Sequence, residues 1–126
     1  MTKVLIVEDN PTHLKLAALL MHRAGYEVAS ALDAATGIAL ARERLPDLVL
    51  MDIQLPDRNG LDAVRELKAD AATRAIPVIA VTSFLSEYSE REALEAGCAG
   101  FIAKPYHYAD LIDLVRALLA RPRGGN

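Results

Sequence analysis

Five short apolar runs recur along the 126 residues of this chain, separated by segments in which apolar residues have a helical spacing. The runs lie at 4–7, 28–32, 48–51, 78–82 and 101–103. Each has the length of a β-strand and is too short for a buried helix. None alternates strictly between apolar and polar residues, which is typical of parallel strands covered by helices on both faces. The sequence therefore predicts five βα units and an α/β fold.

The intervening segments carry the apolar stripes of amphipathic helices. The stripes predicted to face the core are Leu14, Ala17, Met21 and Ala24; Ile38, Ala41 and Leu45; Leu61, Val64 and Leu67; and Leu111, Ile112, Val115, Leu118 and Leu119. Asn10 before Pro11 is typical of a helix N-cap, and Gly25 and Gly97 stand where helices should end. Ser89 and Glu92 could form a capping box within the fourth helix, which leaves the start of that helix open.

These elements predict one domain over residues 1–120 and a flexible tail over 121–126. At this size the expected closure is a doubly wound, flavodoxin-like parallel sheet with the strand order 2-1-3-4-5. Such a fold places its chemistry beyond the carboxyl ends of the strands, at the switch point between strands 1 and 3.

The composition limits which partners and which cellular compartment are expected for this chain. The net charge is −3, and the one dense basic stretch, "RPRGGN" at the end, is too small for a phosphate-binding footprint. No apolar run approaches the roughly 20 residues that span a bilayer. A single cysteine, Cys98, forms no internal disulfide and suits a reducing compartment. We therefore expect a cytoplasmic protein that binds neither nucleic acid nor membrane.

Polar residues end four of the five predicted strands: Glu8 and Asp9, Asp52, Thr82, and Lys104. Strands 1 and 3 are neighbours in the predicted order, so the carboxylates should lie close together. Two unit charges 4 Å apart repel by about 4 kcal/mol at an effective dielectric constant of 20. The acids must therefore take up protons or hold a cation. An all-oxygen site with few carboxylates suits Mg²⁺.

Four motifs resemble the receiver domain of two-component response regulators: "VLIVEDN", "DLVLMDIQLPDRNG", "IPVIAVTS" and "FIAKP". The resemblance covers the chain to about residue 120, and in layout the chain is similar to stand-alone receivers of the DivK type. It implies that Asp52 is the phosphoacceptor and that Thr82 and Lys104 contact the phosphoryl group. It also implies a Mg²⁺ site made by Asp9, Asp52 and the Gln54 carbonyl, with Glu8 acting indirectly.

The resemblance further implies a conformational switch made by Thr82 and Phe101, where many relatives have tyrosine instead of Phe101. It implies a cis peptide bond between Lys104 and Pro105. Phe84, two positions after Thr82, is expected to shield the phosphorylated aspartate from water. His13, near the rim of the site, is expected to be a solvated helix residue, with a partner contact as the alternative.

The expected phosphodonor is a histidine kinase or a histidine phosphotransfer protein. The expected output surface is the face of helix 4, strand 5 and helix 5, where the aromatic residues are Tyr88, Phe101, Tyr106 and Tyr108. Two other functions remain open. A Mg²⁺-dependent aspartyl-phosphate phosphatase usually has a second aspartate where Gln54 stands. A flavodoxin-like electron carrier would need a phosphate-binding loop where this chain has the acidic "EDN".

Overall fold

The computed structural model describes residues 1–83 and 87–121, without the side chains of Glu87 and Tyr88. Strands and helices alternate over this part of the chain, as predicted. The strands are β1 (Lys3–Val7), β2 (Glu27–Ala31), β3 (Leu48–Asp52), β4 (Val78–Thr82) and β5 (Gly100–Ala103). The helices are α1 (Pro11–Arg23), α2 (Ala34–Arg44), α3 (Gly60–Ala69), α4 (Glu87–Ala96) and α5 (Tyr108–Leu119).

All strands are parallel and form one sheet in the order β2-β1-β3-β4-β5, which confirms the predicted topology. Two apolar clusters cover its faces. The α1/α5 cluster contains Val4, Ile6, Met21, Leu50 and Leu111 among its buried members. The α2/α3/α4 cluster contains Val7, Ile38, Met51, Val64 and Ala93. The sheet thus separates two packed layers, and its carboxyl edge is the place where residues from both layers can meet.

Burial on both faces holds for the central strands and not for the edges. Every residue of β3 and β4 is buried, and so are four of the five residues of β1. In β2 and β5, by contrast, most residues are exposed or partly exposed. The expectation that all five strands are buried was therefore wrong for these two, because an edge strand has a neighbour on one side alone.

Helix ends follow the predicted chemistry at three positions. The Asn10 side chain accepts hydrogen bonds from the N–H groups of Thr12 and His13 at the start of α1. Gly25 and Gly97, after α1 and α4, have φ values of 97° and 105°, a region that favours glycine.

One local prediction was wrong. Leu45 does not belong to the buried stripe of α2, because it ends that helix with φ 47° and is 53% exposed. Ser89 and Glu92, the possible capping box within the fourth helix, both lie inside α4 (Glu87–Ala96). Phe84 and the side chain of Tyr88 fall outside the described residues. None of the described helices is long and apolar enough to cross a membrane.

Candidate functional site

Three carboxylates meet at the carboxyl ends of β1 and β3. Glu8 and Asp9 directly follow β1, and Asp52 is the last residue of β3. Each offers a carboxylate oxygen, and these oxygens lie within 4.8 Å of one another. Glu8 and Asp52 are buried, whereas Asp9 is exposed. The donor set fits a hard cation such as Mg²⁺, and the exposed acid gives an ion a route into the cluster.

Lys104, which follows β5, brings a positive charge into this cluster. Its ammonium group donates to Asp52 Oδ2 at 3.2 Å and to Glu8 Oε1. Burial by itself lowers the pKa of Lys104, but the hydrogen bond to Glu8 and the charge of Asp52 outweigh it and raise the pKa above its ordinary value. Lys104 is therefore a fixed cation, and part of the predicted repulsion between the acids is relieved by the chain itself.

The alternation of side chains along a strand explains why these charged groups meet. Three strand residues pack in or against the α1/α5 cluster near the carboxyl edge: Ile6, Leu50 and Ile102. Two positions after them, in the same order, come Glu8, Asp52 and Lys104. The three therefore project toward the face that α1 and α5 cover. Thr82 instead stands two positions after Ala80, a member of the opposite cluster.

The loop after β3 holds Asp52 in place. The backbone N–H of Gln54 donates to Asp52 Oδ1 at 2.9 Å, while Lys104 binds the other carboxylate oxygen. The loop turns back at once, because the N–H of Gly60 donates to the Ile53 carbonyl at 2.7 Å. A Cβ at Gly60 would lie 2.0 Å from the backbone oxygen of Asp52, so a side chain does not fit there.

The remaining residues of the predicted site lie at the ends of β4 and β5. Thr82 is buried, and its carbonyl accepts a hydrogen bond from the Lys104 N–H at 2.6 Å. The Lys104–Pro105 peptide bond is cis. Phe101 packs against the α2/α3/α4 cluster, so it lies across the sheet from the acids and Lys104.

Two contacts, one at the site and one in the loop that follows β3, were missed by the sequence analysis. His13, expected to be solvated, has Nδ1 3.3 Å from the Lys104 ammonium group. Asp57, in the loop between β3 and α3, accepts hydrogen bonds from the N–H groups of Ala34 and Ala35 at 2.9 and 3.0 Å. These two bonds lower the pKa of Asp57. Neither contact has a signal in the sequence, because each joins segments far apart along the chain.

A groove of about 390 Å³ opens beside the acid cluster. Its floor and walls are largely apolar, and one wall is the exposed Leu16 of α1. The groove is lined by His13, Leu16, Ser83, Lys104, Pro105 and Tyr106. It gives a molecule approaching Lys104 from solvent a defined surface to contact.

Residues 4–116 match the family model described as the response regulator receiver domain. The chain belongs to this family. Among curated relatives of this receiver, the polar-differentiation response regulator DivK of Brucella ovis is 42% identical over 120 residues. That match covers 94% of this chain and 98% of the relative.

Solved structures agree with the fold. A putative response regulator from Chloroflexus aurantiacus superposes with a TM-score of 0.91 at 28% identity, covering 95% of this chain and 98% of that one. The receiver domain of a sensor histidine kinase from Pseudomonas aeruginosa PAO1 has a TM-score of 0.88 at 29% identity, with the same coverage. A magnesium ion is coordinated in the active-site cleft of the latter.

Family membership bears on the functions that the sequence left open. The protein is a DivK-like receiver of two-component signalling, which favours the signalling function over the other two. Receiver domains bind Mg²⁺ at an acidic pocket, and the cluster of Glu8, Asp9 and Asp52 provides one here.

Proposed function

We propose that this receiver accepts a phosphoryl group on Asp52 from the phosphohistidine of a histidine kinase or phosphotransfer protein, and that it acts in the cytoplasm. One observation supports this assignment above the others. Asp52 ends the fully buried central strand β3, with two acids beside it and a lysine ammonium group 3.2 Å from its carboxylate.

Asp52 is the nucleophile in this proposal. One of its carboxylate oxygens forms a bond to phosphorus as the P–N bond of the phosphohistidine breaks, and the imidazole nitrogen of the donor leaves with the electron pair of that bond. Gln54 N–H and Lys104 each hold one carboxylate oxygen, which fixes the direction of attack. Lys104 and the Thr82 hydroxyl then contact the oxygens of the transferred group.

Asp9, Asp52 and the Gln54 carbonyl would bind Mg²⁺, with Glu8 acting indirectly through its contact with Lys104. When bound, the ion would supply positive charge to the phosphoryl oxygens. Glu8 is fixed by two bonds, from Lys104 to Oε1 and from the Asn10 N–H to Oε2 at 3.1 Å. It therefore holds Lys104 beside Asp52 and leaves the exposed Asp9 available for the ion.

The proposed output is contact with a downstream protein through the face formed by α4, β5 and α5. Tyr108, at the start of α5, is 43% exposed, and Phe101 is partly exposed on the edge strand β5. Tyr106 packs against the α1/α5 cluster and lines the groove beside Lys104. We therefore base the output surface on Phe101 and Tyr108 and assign Tyr106 to the donor side.

Incubation with acetyl phosphate and Mg²⁺ tests this function, with intact-protein mass spectrometry as the measurement. We expect one phosphate on the wild-type chain, none on Asp52→Asn and none after treatment with EDTA. Asp62→Asn, which removes an exposed carboxylate of α3, is the matched control and should be labelled like wild type. Full labelling of Asp52→Asn would assign the phosphate to another residue.

A further inference from the structure

The ammonium group of Lys104 has three acceptors around it. Two are the carboxylates of Glu8 and Asp52, and the third is His13 Nδ1 at 3.3 Å. An ammonium group has three hydrogens and accepts no hydrogen bond. Each hydrogen of Lys104 therefore has a partner within the chain before any phosphoryl group arrives.

This contact assigns a role to one nitrogen of the imidazole. Because Lys104 can only donate, a hydrogen bond between the two groups has Nδ1 of His13 as its acceptor. Nδ1 is 3.9 Å from Glu8 Oε1, a separation that is longer and not a hydrogen bond. The closer contact of His13 Nδ1 is therefore the one with Lys104.

We propose that His13 is a positioning residue for phosphoryl transfer, which holds the Lys104 ammonium group over Asp52 through Nδ1. The inference rests on the proposed function of Asp52 and adds a residue to it. During transfer, the N–H of Lys104 that donates to Asp52 donates instead to an oxygen of the incoming phosphoryl group, and the proton stays on Lys104. The bonds to Glu8 and His13 stay, so the cation keeps its position while its third partner changes.

Local structure fixes both of the lasting acceptors through one residue. The backbone N–H of Asn10 donates to Glu8 Oε2 at 3.1 Å, and the side chain of Asn10 accepts from the backbone N–H of His13 at 3.2 Å. The cap of α1 therefore sets the positions of Glu8 and His13 together. The imidazole is 52% exposed, so part of it faces the groove from which a donor would approach.

His13→Leu and His13→Asn form a matched pair for the test. Asn has nearly the shape of Leu, and its amide oxygen occupies the δ position of Nδ1, so it can still accept from Lys104. We expect phosphorylation by saturating acetyl phosphate with Mg²⁺ to be roughly fivefold slower in His13→Leu, about the effect of one partly exposed hydrogen bond. His13→Asn should recover most of the wild-type rate.

The ¹⁵N NMR signal of the Lys104 ammonium group gives a second measurement that does not depend on phosphorylation. We expect it to be sharp in wild type and His13→Asn and broadened by exchange with water in His13→Leu. A wild-type rate in His13→Leu, a faster rate in it, or equal losses in both variants would overturn the role of His13. If wild type itself takes up no phosphate, the proposed function of Asp52 fails, and the ammonium signal alone decides whether His13 positions Lys104.

Discussion

Gly60 shows how a single residue can limit the geometry of the phosphorylation site. The loop after β3 returns so closely that a Cβ at Gly60 would lie 2.0 Å from the backbone oxygen of Asp52. That neighbour is backbone, which cannot move aside as the end of a long side chain can. The Asn59–Gly60 pair signals a turn in the sequence, but this close approach depends on the folded path of the loop.

We predict that Gly60→Ala destabilises the fold by about 1–3 kcal/mol, the usual cost of overpacking, and slows phosphorylation of Asp52. Gly25→Ala is the control. A Cβ at Gly25 would have open space around it. The φ of 97° at this residue makes alanine cost about 1–2 kcal/mol, at a position far from the site. Urea unfolding and the rate of labelling by acetyl phosphate measure the two effects. The same labelling rate in Gly60→Ala as in Gly25→Ala would show that the loop tolerates the displacement.

At the scale of elements, Asp57 ties the loop between β3 and α3 to the start of α2. Its two carboxylate oxygens accept from Ala34 and Ala35, while Asp33 caps the same helix by accepting from Thr36. A second carboxylate at this end is also favoured by the helix dipole. The loop that follows the phosphoacceptor is thereby attached to a neighbouring helix, three residues before Gly60.

The lowered pKa of Asp57 predicts a pH dependence of stability. The bonds from α2 favour the charged form in the folded state, so this contribution is present above the ordinary value of 3.8 and is lost as pH falls through the lowered folded pKa. We expect Asp57→Asn to lower the urea midpoint at about pH 6, with the difference from wild type shrinking as the pH falls below 3.8. Asp113→Asn, which changes an exposed acid of α5, should leave the urea midpoint unchanged at both pH values. A difference that persists at acid pH would mean that shape, and not charge, sets the effect.

The positions of the strands and the meeting of the site residues were predictable because one physical rule decides each of them. Strand positions followed from short apolar runs, and the meeting of Asp52 with Lys104 followed from the rule that parallel strands end at one edge. The prediction that Leu45 belongs to the buried stripe of α2 was wrong because apolar spacing does not indicate where a helix ends. The contacts of His13 and Asp57 could not be predicted because they depend on how α1 and a loop pack, which no local pattern encodes.

At the scale of the whole molecule, the sheet separates the chemistry from the proposed switch. Asp52 and Lys104 project toward the α1/α5 face, whereas Phe101 packs against the α2/α3/α4 cluster. The ladder between β4 and β5 connects the two sides. It pairs Ala80 with Phe101 and Thr82 with Ala103, and the N–H of Lys104 donates to the Thr82 carbonyl.

This arrangement predicts how phosphorylation reaches the output surface. If the Thr82 hydroxyl moves toward the phosphoryl group, space opens on its side of the sheet, where Phe101 also lies, and the equilibrium shifts toward a state with Phe101 further inward. A complete shift from 1:99 to 99:1 needs about 5.5 kcal/mol of differential contact, so a smaller gain biases the populations in part. Phe101 lacks a hydroxyl, and burial alone must hold it inward.

We expect beryllofluoride, a phosphoryl mimic, to shift amide NMR signals around Asp52 and also along β5 and the start of α5. Phe101→Ala should keep the shifts at Ile53 and Gln54 and lose most of those at 100–108, because the side chain that fills the vacated space is gone. The stability of Phe101→Ala should fall by less than the about 3–5 kcal/mol lost with a fully buried phenylalanine, since Phe101 is partly exposed.

Tyr108→Ala, at an exposed position of α5, is the control and should leave the shifts along β5 unchanged. Wild-type shifts confined to the acid cluster, or unchanged shifts at 100–108 in Phe101→Ala, would remove Phe101 from the path, since nothing else in this mechanism carries the change from Thr82 to β5.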